Sequence, residues 1–351
     1  MLPPGSTIGI IGGGQLGRML AMAAAQLGFR CHVYDPHEAP CAAEVAAQFT
    51  RGSFDDSEAI ARFAAACDVV TYEFENPPTG PLEPLGDRLR PSTRSLTVAQ
   101  DRSVEKRFLD TAGVTIAPWA EVDDAASLGA AIATLGLPLL LKTRRFGYDG
   151  KGQAWVHSRE EAAGALKALG GRPAVAERAM QFDAEYSVIA ARSQGGEVRV
   201  FPVSRNIHRD GILRRSEIPA GLAVEAQIEQ AEAVTRRLAE ALGHVGVMTV
   251  EFFACADGPV VNEIAPRVHN SGHWTIEGAT TSQFEQHIRA ICGLPLRDTA
   301  LAGTSIEMDN LIGADVEQWP ALIADPDAHV HFYNKGEARP GRKMGHVTRV
   351  T

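Results

Sequence analysis

The sequence lacks a long apolar run, and it lacks a basic stretch at its N-terminus. Its longest uncharged run covers 17 residues, 125–141, and is interrupted by two glycines and a proline. A membrane-spanning helix needs about 20 apolar residues. No basic stretch precedes the first apolar residues, so we predict neither a membrane helix nor an export signal. The sequence therefore predicts a protein with no membrane partner.

Positive charge and cysteine are also scarce. The chain has 34 Lys and Arg against 43 Asp and Glu, a formal net charge of −9, which argues against nucleic acid as a partner. Its five cysteines are scattered and form no C-x-x-C pair, so neither a disulfide framework nor a structural zinc site is indicated. We expect a cytoplasmic protein in which an anionic ligand needs a local cationic pocket.

Strands and helices alternate at the start of the chain. The 351 residues suffice for two or three domains. An apolar strand at 7–11 leads through a glycine-rich turn into a helix, and strands at 31–34 and 68–75 flank a second helix. This order predicts a doubly wound α/β first domain. Five prolines and two glycines between residues 77 and 91 predict an irregular stretch and a domain boundary near residue 98.

The glycine-rich turn has the pattern Gly12-x-Gly14-x-x-Gly17, and Asp35 ends the next strand. Together they form the local fingerprint of a dinucleotide site. The same glycines could instead let another anion approach the helix N-terminus, or serve only as a tight turn. All three interpretations stay open for the turn itself. The charged groups elsewhere in the chain favour phosphoryl transfer over hydride transfer.

Two glutamates lie in apolar strands that flank a predicted hairpin turn. If the loop has three residues with Gly258 in the left-handed conformation, Cys255 faces Pro259. This register places Glu251 directly opposite Glu263. Opposed carboxylates either share a proton or hold a cation, and one or two carboxylates commonly bind phosphate-associated Mg²⁺. The alternative is a solvated strand face on which each glutamate pairs with Lys or Arg.

Three groups of cations could receive phosphate. Lys142 ends an apolar strand, where a lone ammonium is costly unless it meets an anion. The loop 147–153 has three glycines and a lysine, so its backbone could fold over phosphates. The segment 335–343 has four Lys and Arg and suits a phosphomonoester. Each group also has an alternative interpretation. Lys142 could extend its ammonium into water from the strand end, the loop 147–153 could be a surface hairpin, and the segment 335–343 could be a solvated basic tail.

His269 and His273 follow the second carboxylate strand at a spacing of four. A helical metalloprotease site is not indicated, because Gly272 interrupts the pair and the glutamate of H-E-x-x-H is missing. No G-x-S-x-G elbow indicates a serine hydrolase either. We predict that residues 269–274 form a loop that lines the active site.

Seven segments, taken together and in this order, resemble the ATP-grasp ligases and, within them, the 5-(carboxyamino)imidazole ribonucleotide synthases of purine biosynthesis. The segments are 12–18, 71–76, 100–102, 146–153, 262–267, 269–274 and 341–346. The combination of Tyr-Asp-Gly-Lys-Gly-Gln at 148–153 with His-Asn-Ser-Gly-His-Trp at 269–274 is the most specific, since it separates this family from the biotin carboxylases. The resemblance implies a mixed α/β and α+β fold. Its parts would be a doubly wound pre-ATP-grasp domain at 1–98, an ATP-grasp core at 99–298 and a small β-rich domain at 299–351.

The activity implied by the resemblance is ATP- and bicarbonate-dependent carboxylation of the exocyclic amine of 5-aminoimidazole ribonucleotide. Bicarbonate would attack the γ-phosphate of ATP and form carboxyphosphate, and ADP and phosphate would be released. Phosphoryl transfer rests mainly on positioning and charge neutralisation. The resemblance also implies one or two Mg²⁺ ions and a homodimer.

Residue roles are implied by the family's motifs. ATP contacts are implied for Arg102, Lys142, Gly147, Tyr148, Asp149, Gly150, Lys151, Gly152, Gln153, Glu177, Arg178, Ala179, Met180, Glu185, His208, Asn262 and Glu263. Within that set, residues 177–180 would receive adenine and Glu185 the ribose. Ribonucleotide contacts are implied for Gln15, Leu16, Glu75, Tyr148, Asp149, Arg267, His269, Asn270, Lys335, Arg342 and Lys343. Arg267, His269 and Lys142 are the candidate catalytic residues, with His269 handling the proton, and Glu251 and Glu263 are the candidate metal ligands.

Departures from the family pattern are few. Residues 177–180 make a loose hinge, Val268 stands where proline is expected, and Pro78 changes the order after Asn76. These departures affect loop geometry rather than reaction type.

Two other classes of function stay open for this chain. An NAD-linked dehydrogenase would bind NADH, whereas a non-catalytic nucleotide sensor could lose its carboxylate pair and still bind nucleotide.

Overall fold

The computed structural model describes residues 1–147 and 150–351, and the described residues form three sheets. The strands are β1 Thr7–Ile11, β2 Arg30–Asp35, β3 Gln48–Arg51, β4 Val69–Tyr72, β5 Trp119–Val122, β6 Leu139–Thr143, β7 Gln153–Val156, β8 Ala174–Arg178, β9 Ala184–Arg192, β10 Val198–Val200, β11 Ser204–Arg209, β12 Ile212–Ile218, β13 Gly246–Cys255, β14 Gly258–Ala265, β15 Ile306–Ile312, β16 His329–Phe332 and β17 Lys343–Val350. The helices are α1 Gln15–Gln26, α2 Ser57–Ala65, α3 Thr93–Gln100, α4 Arg102–Thr111, α5 Ala125–Leu135, α6 Ala162–Ala168, α7 Leu222–Glu225, α8 Ile228–Leu242, α9 Thr275–Gly278, α10 Gln283–Cys292 and α11 Trp319–Ala324. None of these helices has the length and apolar character of a membrane span.

The first sheet has four parallel strands in the order β3-β2-β1-β4. Its central strand β1 is apolar and buried, as parallel strands covered on both faces usually are. The predicted α/β fold of this segment is confirmed. Strand β4 is shorter than predicted and ends at Tyr72, so Glu73 and Glu75 follow the carboxyl end of the strand. The proline-rich stretch contains a 3₁₀ helix at Gly80–Arg88, with non-helical dihedral angles at Gly86.

The central sheet has nine strands. Eight follow the order β14-β13-β9-β11-β12-β15-β17-β16, and β10 pairs with β9. Strand β12 pairs antiparallel with β15, so the C-terminal strands continue this sheet instead of forming one of their own. The predicted boundary at residue 98 lies inside α3. The division into three domains stays a prediction.

The third sheet is small and antiparallel, in the order β5-β8-β6-β7. Its buried residues include Leu128 and Ile132 of α5 and Leu139 and Leu141 of β6, and they form a hydrophobic core of their own. Lys142 is one residue beyond Leu141 in β6. This sheet therefore carries a buried cation next to a self-contained core.

The hairpin of β13 and β14 has a different register from the predicted one near its turn. Cys255 pairs with Gly258, not with Pro259 as predicted. The register then shifts between Glu251 and Phe252, and Glu251 pairs with Glu263 after all. A β-bulge adds a residue to one strand and redirects the side chains around it. The one-residue difference at the turn and the one-residue shift at the bulge therefore offset each other. The predicted pairing of the two glutamates is confirmed.

Two buried histidines join the first domain to the central sheet. His287 of α10 accepts the Val247 N–H at Nδ1 (3.0 Å), and its Nε2 lies 2.8 Å from Thr71 Oγ1. His244 lies 3.0 Å from the Val247 carbonyl through Nε2 and 3.0 Å from Ser95 Oγ through Nδ1. Burial lowers the pKa of His287 to about 3 and that of His244 to about 4. Both rings are therefore neutral near pH 7.

Candidate active site

A cavity of about 650 Å³ is lined by residues from the beginning, the middle and the end of the chain. The predicted site residues that line it are Gln15, Leu16, Glu75, Arg102, Lys142, Gly147, Gly150, Gln153, Glu177, Arg178, Ala179, Met180, Glu185, His208, Glu251, Asn262, Glu263, Arg267, His269, Asn270 and Lys343. Four other predicted residues, Lys151, Gly152, Lys335 and Arg342, are not among the lining residues. Tyr148 and Asp149 lie outside the described residues.

The carboxylate pair Glu251 and Glu263 lies on one wall of the cavity. Arg102 donates to Glu263 at 3.0 Å. Burial and the charge of Glu263 raise the pKa of Glu251 to about 8. Burial also acts to raise the pKa of Glu263, but Arg102 and Lys142 outweigh it and the pKa lies below its usual value. The two carboxylates are therefore unequal, and one of them holds a proton near neutral pH.

The donor chemistry of this wall suits Mg²⁺. Glu251 and Glu263 offer carboxylate oxygens, and Asn262, at the bulge between them, offers an amide oxygen that also accepts from Lys142 at 3.2 Å. Within the described residues, no group of three or more His, Cys, Asp and Glu side chains is placed to hold a metal ion alone. A magnesium ion here would take its other ligands from phosphate oxygens and water, which is its usual preference.

A buried ion network lies beside the carboxylate pair. Glu177 is 4% exposed and has one oxygen 2.8 Å from Lys142 Nζ and the other 3.1 Å from Lys106 Nζ. Burial would raise the pKa of Glu177, but the two lysines outweigh it and hold the pKa at about 2. Burial lowers the pKa of Lys142, and Glu177 acts against that shift. Glu177 is therefore a counter-ion for two lysines.

Some backbone groups of the residues predicted to receive adenine already form hydrogen bonds within the protein. The N–H groups of Arg178 and Ala179 bond to the carbonyls of Pro118 (2.9 Å) and Pro138 (3.1 Å). Met180 lines the same end of the cavity together with two stacked rings, Phe182 and Phe253, whose centroids are 4.5 Å apart. The sequence pattern did not indicate these rings. Apolar and aromatic side chains form the usual lining of a site for a planar base.

Helix α4 supplies two buried residues that the sequence did not single out, Glu105 and Lys106. Glu105 accepts the backbone N–H of Ile264 at 2.6 Å, next to the metal-ligand candidate Glu263. Burial raises the pKa of Glu105 to about 7. Their only sequence signal is charge on the apolar side of an amphipathic helix, where buried Glu and Lys require partners.

His269 lies between the carboxylate pair and the loop that follows it. Its Nδ1 is 2.9 Å from Ser271 Oγ, and its Nε2 is 3.5 Å from Glu251 Oε1. Burial, then the charge of Arg267, lowers the pKa of His269 well below its usual value. The ring is therefore neutral, and Glu251, whose pKa is raised, is the nearby group that can carry a proton.

His208 and Glu185 form a second polar pair on the cavity wall. His208 Nδ1 lies 3.1 Å from Glu185 Oε2. Burial acts to lower the pKa of His208, but the hydrogen bond and charge of Glu185 outweigh it and raise that pKa. Both residues line the cavity, and their predicted contacts with the nucleotide stay predictions.

The glycine turn at the start of α1 is occupied by the protein's own carboxylates. Glu73 accepts the N–H groups of Gly14 (2.9 Å) and Gly17 (3.3 Å), and Asp35 accepts that of Gly13 at 2.7 Å. In a dinucleotide site these groups would bind the pyrophosphate and the ribose. The NAD interpretation of this turn is therefore wrong. The turn does carry Gln15 and Leu16 to the cavity.

The ribonucleotide candidates form pairs across the domains. Arg267 lies 3.0 Å from Glu75, and Lys335 donates to Gln15 at 3.0 Å. Arg342 donates to the carbonyl of Glu337 at 3.1 Å and does not line the cavity. Lys335 thus reaches the site through Gln15, although it is not a lining residue.

Asn270 is held by a residue that the sequence did not indicate. Its amide pairs reciprocally with that of Asn310 in β15, with N···O distances of 2.7 and 2.9 Å. Asn310 also donates to the carbonyl of Leu213 at 3.0 Å. Long-range pairing of β15 with β12 brings Asn310 here, and no local sequence signal could have shown it.

Three family models match successive parts of the chain. They are the ribonucleotide synthetase preATP-grasp domain at residues 5–100, the ATP-grasp domain at 107–284 and the phosphoribosylaminoimidazole carboxylase C-terminal domain at 307–351. These matches agree with the predicted fold class. They cover the first sheet, the segment with the carboxylate pair and the last strands of the central sheet.

Individual proteins match nearly from end to end. N5-carboxyaminoimidazole ribonucleotide synthase of Brucella melitensis is 48% identical, over 99% of this chain and 97% of that protein. A solved N5-carboxyaminoimidazole ribonucleotide synthetase with ADP has a TM-score of 0.96 and 42% identity, over 100% of this chain and 94% of the other. The Aspergillus clavatus enzyme, solved with ADP and 5-aminoimidazole ribonucleotide, has a TM-score of 0.93 and 33% identity, over 99% and 94% of the two chains. The chain therefore belongs to the N5-carboxyaminoimidazole ribonucleotide synthase family of ATP-grasp ligases.

Proposed function

We propose that this protein uses ATP and bicarbonate to carboxylate the exocyclic amine of 5-aminoimidazole ribonucleotide. The products are 5-(carboxyamino)imidazole ribonucleotide, ADP and phosphate, a step of purine biosynthesis. One observation carries the proposal: one cavity is lined by the cations Arg102 and Lys142, by a carboxylate pair and by residues of the first domain. A relative of the same fold holds ADP and 5-aminoimidazole ribonucleotide together.

The nucleotide end of the cavity is built for phosphate. Arg102 and Lys142 line it. Each is paired with a carboxylate, Arg102 with Glu263 and Lys142 with the buried Glu177. Fixed cations in a site from which water is largely excluded stabilise the charge that develops on a transferred phosphoryl group. The rings of Phe182 and Phe253 give the base an apolar surface. Bicarbonate would attack the γ-phosphate here and form carboxyphosphate.

Glu251 and Glu263, with Asn262 beside them, are the residues that would hold one or two Mg²⁺ ions. When bound, the metal neutralises phosphate charge. The protein side chains have separate duties. Arg102 fixes the orientation of Glu263. His269, neutral and 3.5 Å from Glu251, would take up the proton that the amine substrate releases on carboxylation.

The ribonucleotide end is formed by the first domain and the C-terminal strands. Arg267, held by Glu75, and Lys343 line the cavity there. Lys335 fixes Gln15, and Asn310 fixes Asn270. Cations on this side suit the phosphate of the ribonucleotide. A cytoplasmic location, which the scattered cysteines favour, and a homodimer, which the family resemblance implies, complete the proposal. Analytical ultracentrifugation tests the homodimer.

A nucleotide sensor without catalysis is the competing function. The paired glutamates argue against it, because their mutual repulsion inside the protein costs stability and mere nucleotide binding does not need them.

The deciding experiment measures ADP release with ATP, bicarbonate and 5-aminoimidazole ribonucleotide, each omitted in turn. We expect release that depends strongly on the ribonucleotide. Release at the same rate without the ribonucleotide would contradict the substrate assignment, and no release under any condition would favour the sensor.

A further inference from the structure

Lys106 is a fully buried lysine that does not line the cavity. It lies in α4, and its side chain is 0% exposed. Its Nζ is 3.1 Å from Glu177 Oε1 and 3.3 Å from the Asn262 carbonyl. A buried ammonium is costly to desolvate and persists only where it is paired. Lys106 therefore has a specific electrostatic role or serves only to pin α4 to its neighbours.

The geometry of Glu177 distinguishes these roles. One oxygen faces Lys106 and the other faces Lys142. Lys142 is the member of the trio whose ammonium also reaches Asn262 Oδ1, at 3.2 Å, on the cavity wall. Two positive charges and one negative charge leave a net charge of +1. Without Lys106, the remaining Lys142 and Glu177 would form a neutral pair and attract phosphate only weakly.

We propose that Lys106 is a positioning residue for nucleotide binding: it shares the charge of Glu177 from outside the cavity and leaves the charge of Lys142 available to a phosphate. This inference rests on the proposed function, because it assumes that a nucleotide phosphate occupies the cavity beside Lys142. It adds a residue that touches no nucleotide and acts through Glu177.

The test compares the affinities for ADP and adenosine, measured by isothermal titration calorimetry. Adenosine has no phosphate, so the ratio of the two affinities reports the phosphate contribution alone. We expect Lys106→Met to lower this ratio about 10- to 100-fold, the effect of one unit charge within several ångströms at an effective dielectric constant of about 20. The exposed Lys167 provides the control, since Lys167→Met should leave the ratio unchanged.

Charge compensation gives a second readout. Glu177→Gln raises the net charge of the trio to +2 and should raise the ratio above that of the wild type. The double variant Lys106→Met with Glu177→Gln returns the charge to +1 and should restore the ratio to within about threefold of the wild type. A purely structural role for Lys106 would make the double variant no better than the single one.

The outcomes separate the two proposals. If the wild-type protein binds adenosine as tightly as ADP, the assignment of phosphates to this cavity fails. If the wild type prefers ADP but Lys106→Met weakens both ligands equally, or the double variant fails to recover the preference, the charge-sharing role is refuted. Should Lys106→Met not fold, Glu177→Gln alone decides, because an unchanged ratio in that variant also contradicts charge sharing.

Discussion

Lys335 connects the C-terminal segment to the glycine turn through its 3.0 Å bond to Gln15. We expect Lys335→Met to raise the KM for 5-aminoimidazole ribonucleotide about 10- to 100-fold, since a hydrogen bond from a charged donor contributes about 1.5–3 kcal/mol. The KM for ATP should stay within about twofold. Arg339→Gln, a change at an exposed neighbour, is the matched control in the same steady-state assay. Equal changes in both KM values would contradict a local role.

Glu263 pairs with Arg102 at 3.0 Å and is a candidate metal ligand. We expect Glu263→Gln to reduce kcat for ADP release at least about 100-fold, because phosphoryl transfer depends on fixed charge near the phosphates. Raising the Mg²⁺ concentration should recover part of the loss. Glu229→Gln, at an exposed position of α8, is the control. Full activity of Glu263→Gln at limiting Mg²⁺ would refute the metal role.

At this scale, sequence reasoning succeeds where local geometry decides. The opposition of Glu251 and Glu263 follows from a hairpin, so it was predictable despite the error in the turn register. Lys106 and Asn310 were not predictable, because their partners Glu177 and Asn270 are 71 and 40 positions away along the chain. Family resemblance supplied most of the other site residues. The charges of the chain alone indicated phosphate chemistry but no particular substrate.

At the scale of elements, the buried His287 and His244 predict that the folded protein loses stability in acid. Their pKa values in the folded protein, about 3 for His287 and about 4 for His244, lie below the usual value of 6.5. The unfolded chain therefore takes up protons that the folded one does not, and stability present above pH 6.5 is lost as the pH falls toward 4. For His244 the loss should be about 3 kcal/mol, at 1.36 kcal/mol for each pKa unit.

Urea unfolding between pH 7 and pH 4 measures this loss. His287→Gln keeps an amide donor and acceptor for Thr71 and Val247 but cannot titrate, so its stability should fall less steeply with decreasing pH. His329→Gln, at an exposed histidine, should show the wild-type slope. A His287→Gln profile parallel to that of the wild type would mean that other groups govern acid unfolding.

Most of the long or strongly patterned elements were predictable, and several short ones were not. The sequence predicts a helix at 125–135, and α5 Ala125–Leu135 has these bounds in the structure, where Asp124 caps its start and Gly136 its end. Strands β5 and β7 were missed. Each has four residues and only partial burial, so tertiary pairing rather than periodicity defines them. Helix α3 was missed because the preceding prolines suggested an irregular stretch.

At the scale of the whole molecule, the distribution of hydrophobic cores predicts unequal local stability. One core includes Ile10 of the first sheet, Ile189 of the central sheet and Met308 of the C-terminal strands, whereas the small sheet has a separate core. We expect amide hydrogens of β6 and β8 to exchange faster than those of β9, since small cores open at lower free energy. Hydrogen-exchange mass spectrometry measures the difference.

Added ADP should slow exchange in β6 and β8, because Lys142 and Glu177 lie in these strands and line the nucleotide end of the cavity. Strand β2, outside the cavity lining, serves as the internal control. Uniform exchange across the three sheets, with no response to ADP, would contradict both expectations.

The sequence could not show that the C-terminal strands extend the central sheet, since the pairing of β12 with β15 joins residues about 90 positions apart.

The carboxylates in the glycine turn offer a rule for interpreting other sequences. A scan for G-x-G-x-x-G would assign this chain to the dinucleotide-dependent oxidoreductases, and Asp35 at the next strand end would appear to support that assignment. The distinguishing residue is Glu73, one position beyond the neighbouring strand β4, which binds the helix N-terminus from within the protein. We therefore expect that, in other chains with this glycine pattern, an acidic residue at that position indicates a turn bound by the protein's own carboxylate and not by a cofactor.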